Sequence, residues 1–326
     1  MIRLFNRRLA LAAIAASSWF VQSAMASDAL QNRPITIIYP YAAGSASDLL
    51  TRQVAEILSH ALGNAVIVEA KPGAGGSTAL EYVARAPADG HTLVLSASGT
   101  MAVNPHIYKL RYSPVDDLVP ITVLTEIPFI AVTNVDFPAK NLKEFITLAK
   151  KQPGQITFAN AGLGTQSHLT QMMFLKAAGI DANIVAYRGG TPMVTDLMGG
   201  HVDAAFDNAA AQMANVRANK VRALFVTSPT RLESMPQVPT AEEAGLPGFT
   251  ASGWFGLAAP KGTPQAIIER MNQAISEAFK KPEMRRKLID AGWVPVANSP
   301  AEAAARARAD LARLGAIVHQ LGIKPN

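Results

Sequence analysis

The segment ITIIYPYAAGSASDLLTR, Ile35–Arg52, passes from strand to loop to helix in one short stretch. A β-branched run from Ile35 to Ile38 ends at Pro40, and a loop of small residues follows. A helix is expected to open near Ser47 and Asp48, with Leu49, Leu50 and Val54 on its apolar side. Amide groups of a first helical turn have no partner inside the helix and point at whatever occupies the preceding loop, so this arrangement suits an anion. A second copy lies at ITFANAGLGTQSHLTQ, beginning at Ile156. There Gly164-Thr165-Gln166-Ser167-His168-Leu169 echoes Gly44-Ser45-Ala46-Ser47-Asp48-Leu49, again directly after a strand. The expectation is that the two loops face each other across a cleft and hold a small carboxylate. Amides and hydroxyls around Ser45–Ser47 and Gly164–Ser167 would take its oxygens.

Outward from this segment, Ala65–Ala70 and His91–Ala97 read as further strands, with helical patterns at Asp48–Leu62 and Thr78–Ala86 between them. Such alternation implies βαβ units and a parallel sheet with helices on both faces. Pro105, Pro114, Pro120 and Pro128 break up residues 103–134, where ITVLTEI and FIAVTN read as extended segments in a crossover between domains. A second alternating block follows: helix Asn141–Lys151, strand Ile156–Asn160, helix Ser167–Ala178, then strands Asn183–Tyr187, Val202–Phe206 and Ala223–Thr227 separated by helices Thr191–Met198 and Ala209–Asn219. SGWFGLAAP from Ser252 reads as an extended return segment. Thr263-Pro264 is expected to cap helix Gln265–Lys280, Pro282–Ala291 forms a short basic helix, and Ser299-Pro300-Ala301-Glu302 is a capping box opening a helix to about Leu321. These last helices come without enough strands for a third domain and should pack on the first sheet. The reading is therefore a discontinuous first domain, residues 27–127 plus 251–326, with an inserted second domain, residues 128–250.

The chain opens with Arg3, Arg7 and Arg8, an apolar run from Leu9 to Val21, and Ala24-Met25-Ala26. This is the pattern of a secretory signal peptide cleaved after Ala26, and the run is too short for a membrane span of about 20 residues. The leader holds three arginines and no acidic residue, so its loss lowers the formal net charge from +6 to +3. The remaining basic residues are scattered, Arg285-Arg286-Lys287 being the densest run, with no interleaved aromatics; nucleic-acid binding is not supported. Cysteine is absent, which excludes a lipidated cysteine, thiol catalysis and cysteine metal ligation. An exported chain without disulfides relies on its core, and 49% apolar residues can build a large one. The expected compartment is the periplasm.

Other chemistries find little footing. Gly73-Ala74-Gly75-Gly76-Ser77 has neither nucleotide-loop spacing and no following lysine; it reads as a third wall of the same cleft, with Ser77 as a helix N-cap. The other histidines, at 60, 91, 106, 201 and 319, lack metal-ligand spacing, and no GxSxG nucleophile elbow occurs. No cofactor is implied. Asp48 and Asp207 form a conceivable acid–base pair, but Asp48 is better placed to order its own loop through backbone N–H bonds. His168 either donates to a ligand oxygen or serves as a cap or surface histidine. Tyr187 either offers its phenol to the ligand or is a core aromatic.

Three motifs stand in the first part of the chain: Tyr39-Pro40-Tyr41-Ala42-Ala43-Gly44-Ser45-Ala46-Ser47-Asp48, Val68-Glu69 through Gly73-Ala74-Gly75-Gly76, and Ala88-Asp89-Gly90-His91-Thr92-Leu93. Asn104-Pro105, Ala161-Gly162 to His168-Leu169, Tyr187-Arg188-Gly189-Gly190, Val238-Pro239-Thr240 and Trp254-Phe255-Gly256-Leu257-Ala258-Ala259-Pro260 follow in order. In these motifs and their order the chain resembles the Bug-type extracytoplasmic solute receptors of tripartite tricarboxylate transporters. The resemblance implies an α/β, two-domain periplasmic-binding-protein fold of type II, a Venus flytrap with central mixed β-sheets flanked by helices. It implies a monomeric receptor, not an enzyme, that closes on a small organic acid and delivers it to membrane permease subunits. By matching motif it places Tyr41, Ala43, Gly44, Ser47, Asp48, Gly76 and Ser77 at the ligand from one domain. From the other come Gly162, Gly164, Thr165, His168, Tyr187 and Asp207. Thr78-Ala79 stands where Ile-Gly is usual, which puts Thr78 beside the pocket; His91 replaces the usual Tyr, and Ala186 a common Pro. A sensory receptor signalling to a membrane kinase, or less readily a periplasmic hydrolase or isomerase, would present the same residues.

Overall fold

The computed structural model describes Leu30 and residues 33–323; the expected leader and its cleavage point lie outside the described residues. The chain runs β1 (Ile35–Tyr39), α1 (Ala46–Leu62), β2 (Val66–Ala70), α2 (Ser77–Ala84), β3 (Thr92–Ala97), a π-helical turn over Gly99–Val103 and the short α3 (Asn104–Ile107). Next come β4 (Leu118–Asn134), α4 (Leu142–Lys151), β5 (Thr157–Asn160), α5 (Gln166–Ala178), β6 (Asn183–Ala186), α6 (Gly190–Met198), β7 (Ala204–Asn208), α7 (Ala209–Arg217) and β8 (Val221–Val226). The chain closes with β9 (Ser252–Pro260), α8 (Gln265–Lys280), α9 (Pro282–Asp290), β10 (Val294–Pro295) and α10 (Pro300–Gln320).

Strands pair in the order β2-β1-β3-β9-β4-β7-β5-β6, with β8 and β10 also on β4. The two ends of this path are alike. β1 lies between β2 and β3, all parallel, and β3 then pairs antiparallel with β9. β5 lies between β6 and β7, all parallel, and β7 then pairs antiparallel with β4. The sequence echo between the two loops is thus the local trace of a topological repeat. The sheet is mixed rather than wholly parallel, because the long strands β4 and β9 run against their neighbours.

Residues 103–134 differ most from expectation. The two extended segments are one strand of 17 residues, β4, despite Pro120 and Pro128. Proline lacks the N–H a ladder needs, so it is tolerated at irregularities and changes of partner. Pro120 adjoins one of the two register shifts against β9, and Pro128 faces Ser252, the first residue of β9. From Phe129 onward β4 pairs instead with β7 and β8. One strand therefore belongs to both halves of the sheet.

The core follows the parallel-strand rule that interior strands are apolar on both faces. Phe145, Phe158, Phe174, Phe206, Phe225 and Phe249 stack edge to face or tilted, with neighbouring centroids 5.3–6.4 Å apart. In the other half Ile35, Ile37, Leu93 and Leu95 pack with Leu50, Val54 and Leu58 of α1 and with Ile267, Ile268 and Met271 of α8. The C-terminal helices thus return to the first half, as expected. Two caps differ from the sequence reading. Pro264, not Thr263, occupies the N-cap of α8, because the Thr263 hydroxyl donates back to the Pro260 carbonyl. Gly76, not Ser77, occupies that of α2, and Ser77 accepts instead from Asn104 Nδ2 at 2.7 Å. The capping box at Ser299 and Glu302 forms as read.

Candidate functional site

The two echoed loops have one construction. Gly44 and Gly164 each turn the chain at positive φ, +88° and +78°, a conformation that strains any residue with a Cβ. Ser45 and Thr165 are the N-caps of α1 and α5, and each side chain accepts the third-position N–H, from Asp48 and His168, at 3.3 Å. The second-position hydroxyl sits against the cap hydroxyl in both: Ser45 to Ser47 at 3.1 Å, Thr165 to Ser167 at 3.0 Å. With the third amide capped, the first- and second-position amides, on Ala46 and Ser47 and on Gln166 and Ser167, are those without a helical partner.

All four of these residues line one cavity of about 310 Å³, together with Ser45 and Thr165. The N-termini of two helices, from the two like ends of the sheet, therefore converge on a shared space. Tyr39, the last residue of β1, reaches in from the floor and lies within 2.7 Å of Ser47 Oγ while also contacting Ser45 Oγ. Burial raises its phenol above the ordinary value, so it stays protonated and can donate. Ser98 and Gly99 close the third strand end; Ile127, Phe129, Val194, Met198 and Phe255 supply apolar wall. Asp207, at the end of β7, is buried on the same lining. Its Oδ1 accepts from the Asn208 N–H and its Oδ2 from Gln212 Nε2, both at 2.8 Å. Burial pushes its carboxyl up to about 6 against the lowering pull of those two bonds.

A second hollow of about 720 Å³ adjoins the first through Tyr41, Ala161, Thr165 and Gly189. It is lined by the glycine loop Gly73–Gly76, Gly162, Tyr108, Tyr187 and Arg188. Tyr187 donates to Asp196 Oδ2 at 2.6 Å, and burial together with that carboxylate raises the phenol to about 12.

The expected site residues thus fall into three groups. Tyr41, Gly44, Ser45, Ser47, Thr165 and Asp207 line the main cavity. Gly76, Gly162 and Tyr187 line the outer hollow, so the glycine loop walls this second space and not the first. The rest lie elsewhere. Asp48 is buried beneath its loop, accepting the Gly44 N–H at 2.9 Å and pairing with Arg52 at 3.2 Å, in the ordering role read for it. Ala43 is exposed on the loop outside both spaces. Gly164 packs so closely that an added Cβ would come within 2.3 Å of Asn104 Oδ1. Ser77 is buried against Asn104, and Thr78 faces a separate surface hollow with Lys71, Glu81 and Tyr82. His168 is neither a cap nor at the surface: it is 5% exposed, on neither lining, and its Nδ1 lacks a hydrogen-bond partner. Burial lowers its pKa to about 4 and keeps the ring neutral.

Sequence reasoning missed Tyr39, Ser98, Gly99, Phe129, Gly190, Asn208 and Phe255 as lining residues. Tyr39 had a usable signal, since a phenol ending an aliphatic strand needs a polar partner when buried. Ser98-Gly99 directly after β3 was another. Phe129 and Phe255 read like core and had none. Among the described residues no cluster of His, Asp and Glu is arranged to hold a metal ion, and no helix is long and apolar enough to cross a membrane.

The family described as the tripartite tricarboxylate transporter family receptor matches residues 50–323. The chain is 33% identical over 321 residues to BugT of Bordetella pertussis, covering 98% of each protein. Among solved structures it is similar to the Rpa4515 protein of R. palustris with adipate, at TM-score 0.88 and 30% identity, covering 91% of this chain and 99% of that one. It is also similar to MatC of Rhodopseudomonas palustris with bound malate, at TM-score 0.83 and 32% identity, covering 88% and 99%. A family match of this span, with relatives aligned over nearly their whole length, places the chain in the tripartite tricarboxylate transporter receptor family, a family of two-domain periplasmic solute-binding proteins and not of enzymes.

Proposed function

We propose that this protein captures a small carboxylated solute in the main cavity and delivers it, as a monomer, to the permease subunits of a tripartite transporter. The cavity lies between a lobe of residues 27–127 plus 251–326 and a lobe of residues 128–250, in a mature periplasmic chain that begins after Ala26. The reading is carried by one observation: the free first-turn amides of α1 and α5 share a cavity with the hydroxyls of Tyr39, Ser45, Ser47, Thr165 and Ser167, while no lysine or arginine lines it among the described residues. A carboxylate there is held by dipoles and neutral donors. One helix N-terminus stabilises an anion by about 0.3–1 kcal/mol when exposed and up to about 2 when partly buried, so two converging ends with several hydroxyls can offset its desolvation. The adipate and malate complexes of relatives support the ligand class.

The lobe boundaries follow the sheet. β4 exchanges β9 for β7 and β8 at Pro128, beside the start of β9 at Ser252, which supports hinges at these crossings. Closure then couples to binding through the ligand's greater affinity for the closed form. The test is calorimetric titration and thermal shift of the mature chain with a panel of small organic acids, beside sugars and metal cations. Saturable binding by acids alone is the expected result; no response to any acid, with a clear response to a sugar or cation, defeats the reading.

A further inference from the structure

We infer, resting on that receptor reading, that the solute carries one carboxylate and, elsewhere in the molecule, an ammonium or amide donor, and that Asp207 is the residue that selects it. Among the described residues lining the main cavity, Asp207 is the only one with an Asp, Glu, Lys, Arg or His side chain. It is 2% exposed. Its protein partners, the Asn208 N–H and Gln212 Nε2, are neutral donors that leave its charge uncompensated. A carboxylate has about four lone-pair sites, and two here are taken, so acceptor capacity remains. Asp207 and Gly190 of α6 line the cavity side by side: a Cβ added at Gly190 would stand in van der Waals contact with both carboxylate oxygens, 3.7 and 3.8 Å away.

The charge pattern then discriminates. The ligand's carboxylate is accounted for by the amides and hydroxyls of α1 and α5. A second carboxylate in the same cavity would meet a buried like charge with no lysine or arginine among the described lining residues to offset it. A donor-bearing group meets an acceptor that the protein leaves partly unused. Arg188 is nearby but lines the outer hollow, so it serves a diacid only if the diacid extends out of the main cavity.

The test is competition calorimetry on the mature chain with length-matched acids: γ-aminobutyrate, succinamate, succinate and butyrate, and the series one carbon longer, δ-aminovalerate, glutaramate, glutarate and valerate. Adipate is included as the extended diacid. At each length the ammonium- or amide-ended acid is expected to bind about tenfold or more tighter than the diacid, the difference expected of one hydrogen bond to a charged group. In Asp207→Asn the affinity ratio of the ammonium- or amide-ended acid to the diacid of the same length is expected to fall about tenfold or more. Tighter binding of a diacid than of its amino or amide counterpart overturns the inference and leaves the receptor reading standing. An unchanged preference in a folded Asp207→Asn overturns it as well, and the wild-type series decides the matter if that variant does not fold. Failure of every acid to bind overturns both.

Discussion

Tyr39 shows how one side chain can serve strand, loop and cavity together. Its ring is buried at the end of β1, and its hydroxyl bridges the N-cap serine and the second serine of α1. Tyr39→Phe keeps the ring, so its stability cost is expected to be about 1 kcal/mol for the lost hydrogen bonds, while affinity for the preferred acid falls by a larger factor. Urea unfolding beside titration calorimetry reads the two separately, and equal losses would make the hydroxyl merely structural. Two other side chains make opposite pH predictions. His168 in the folded chain loses its proton near 4 and in the unfolded chain near 6.5, so its contribution is complete above 6.5 and is lost as pH falls toward 4. The span corresponds to about 3 kcal/mol, and His168→Gln is expected to flatten the acid limb of melting temperature against pH. Asp207 has a folded value near 6, above its ordinary 3.8, so its contribution is complete below 3.8 and is lost as pH rises through 6. Asp207→Asn is therefore expected to gain melting temperature over wild type at neutral pH, and progressively less toward pH 4.

At the scale of elements, helix α5 is held at its N-terminus by close backbone approaches. A Cβ at Gly99 would come within 2.9 Å of the Gln166 amide nitrogen, and one at Gly75 within 2.6 Å of the Leu163 carbonyl. Gly99→Ala is thus expected to push the start of α5 out of the cavity, lowering affinity about tenfold or more through loss of one well-placed amide set, with a smaller change in the unfolding free energy of the chain. Titration and urea denaturation of the same variant check the split. Helix α10 is fastened differently. Asp310 accepts Trp254 Nε1 from β9 at 2.8 Å and pairs with Arg306 and Arg313, while Arg306 also reaches Glu126 of β4. The arginines are half-exposed and screened, so Asp310→Ala is expected to cost about 2 kcal/mol, less than a fully buried pair, and chemical denaturation measures it.

For the whole molecule, several contacts join the two proposed lobes: Tyr108 donates to the Leu163 carbonyl at 3.0 Å, and Asn104 lies against both Ser77 and Gly164. A ligand bound between the proposed lobes is expected to favour the arrangement that makes these contacts. A ligand that favours this arrangement raises stability by about 2.7 kcal/mol at a hundred times its dissociation constant. The expected outcome is a melting temperature that climbs with the logarithm of ligand concentration, accompanied by a smaller radius of gyration in solution scattering. A thermal shift without compaction would mean that binding does not require closure.

Much of this was legible in the residues alone, for a physical reason. Strand, glycine turn, capping hydroxyl and first helical turn are local; the same few residues that set their conformations also carry the unpartnered amides. Gly44-Ser45-Ala46-Ser47 and Gly164-Thr165-Gln166-Ser167 therefore announced two anion-ready helix starts, and their likeness announced a repeated topology. What tertiary structure alone decided is which groups share a space. Asp207 lines the cavity and His168 is buried away from it, although both lie near strand-to-helix junctions; Thr78 lines a separate surface hollow, and the glycine loop walls a second hollow. Phe129 becomes cavity wall because β4 crosses from one half of the sheet to the other, and Phe255 because β9 pairs with β4 just before that crossing. Spacing along a chain determines local hydrogen bonds, whereas the direction a buried side chain takes depends on the packing of segments a hundred residues or so away.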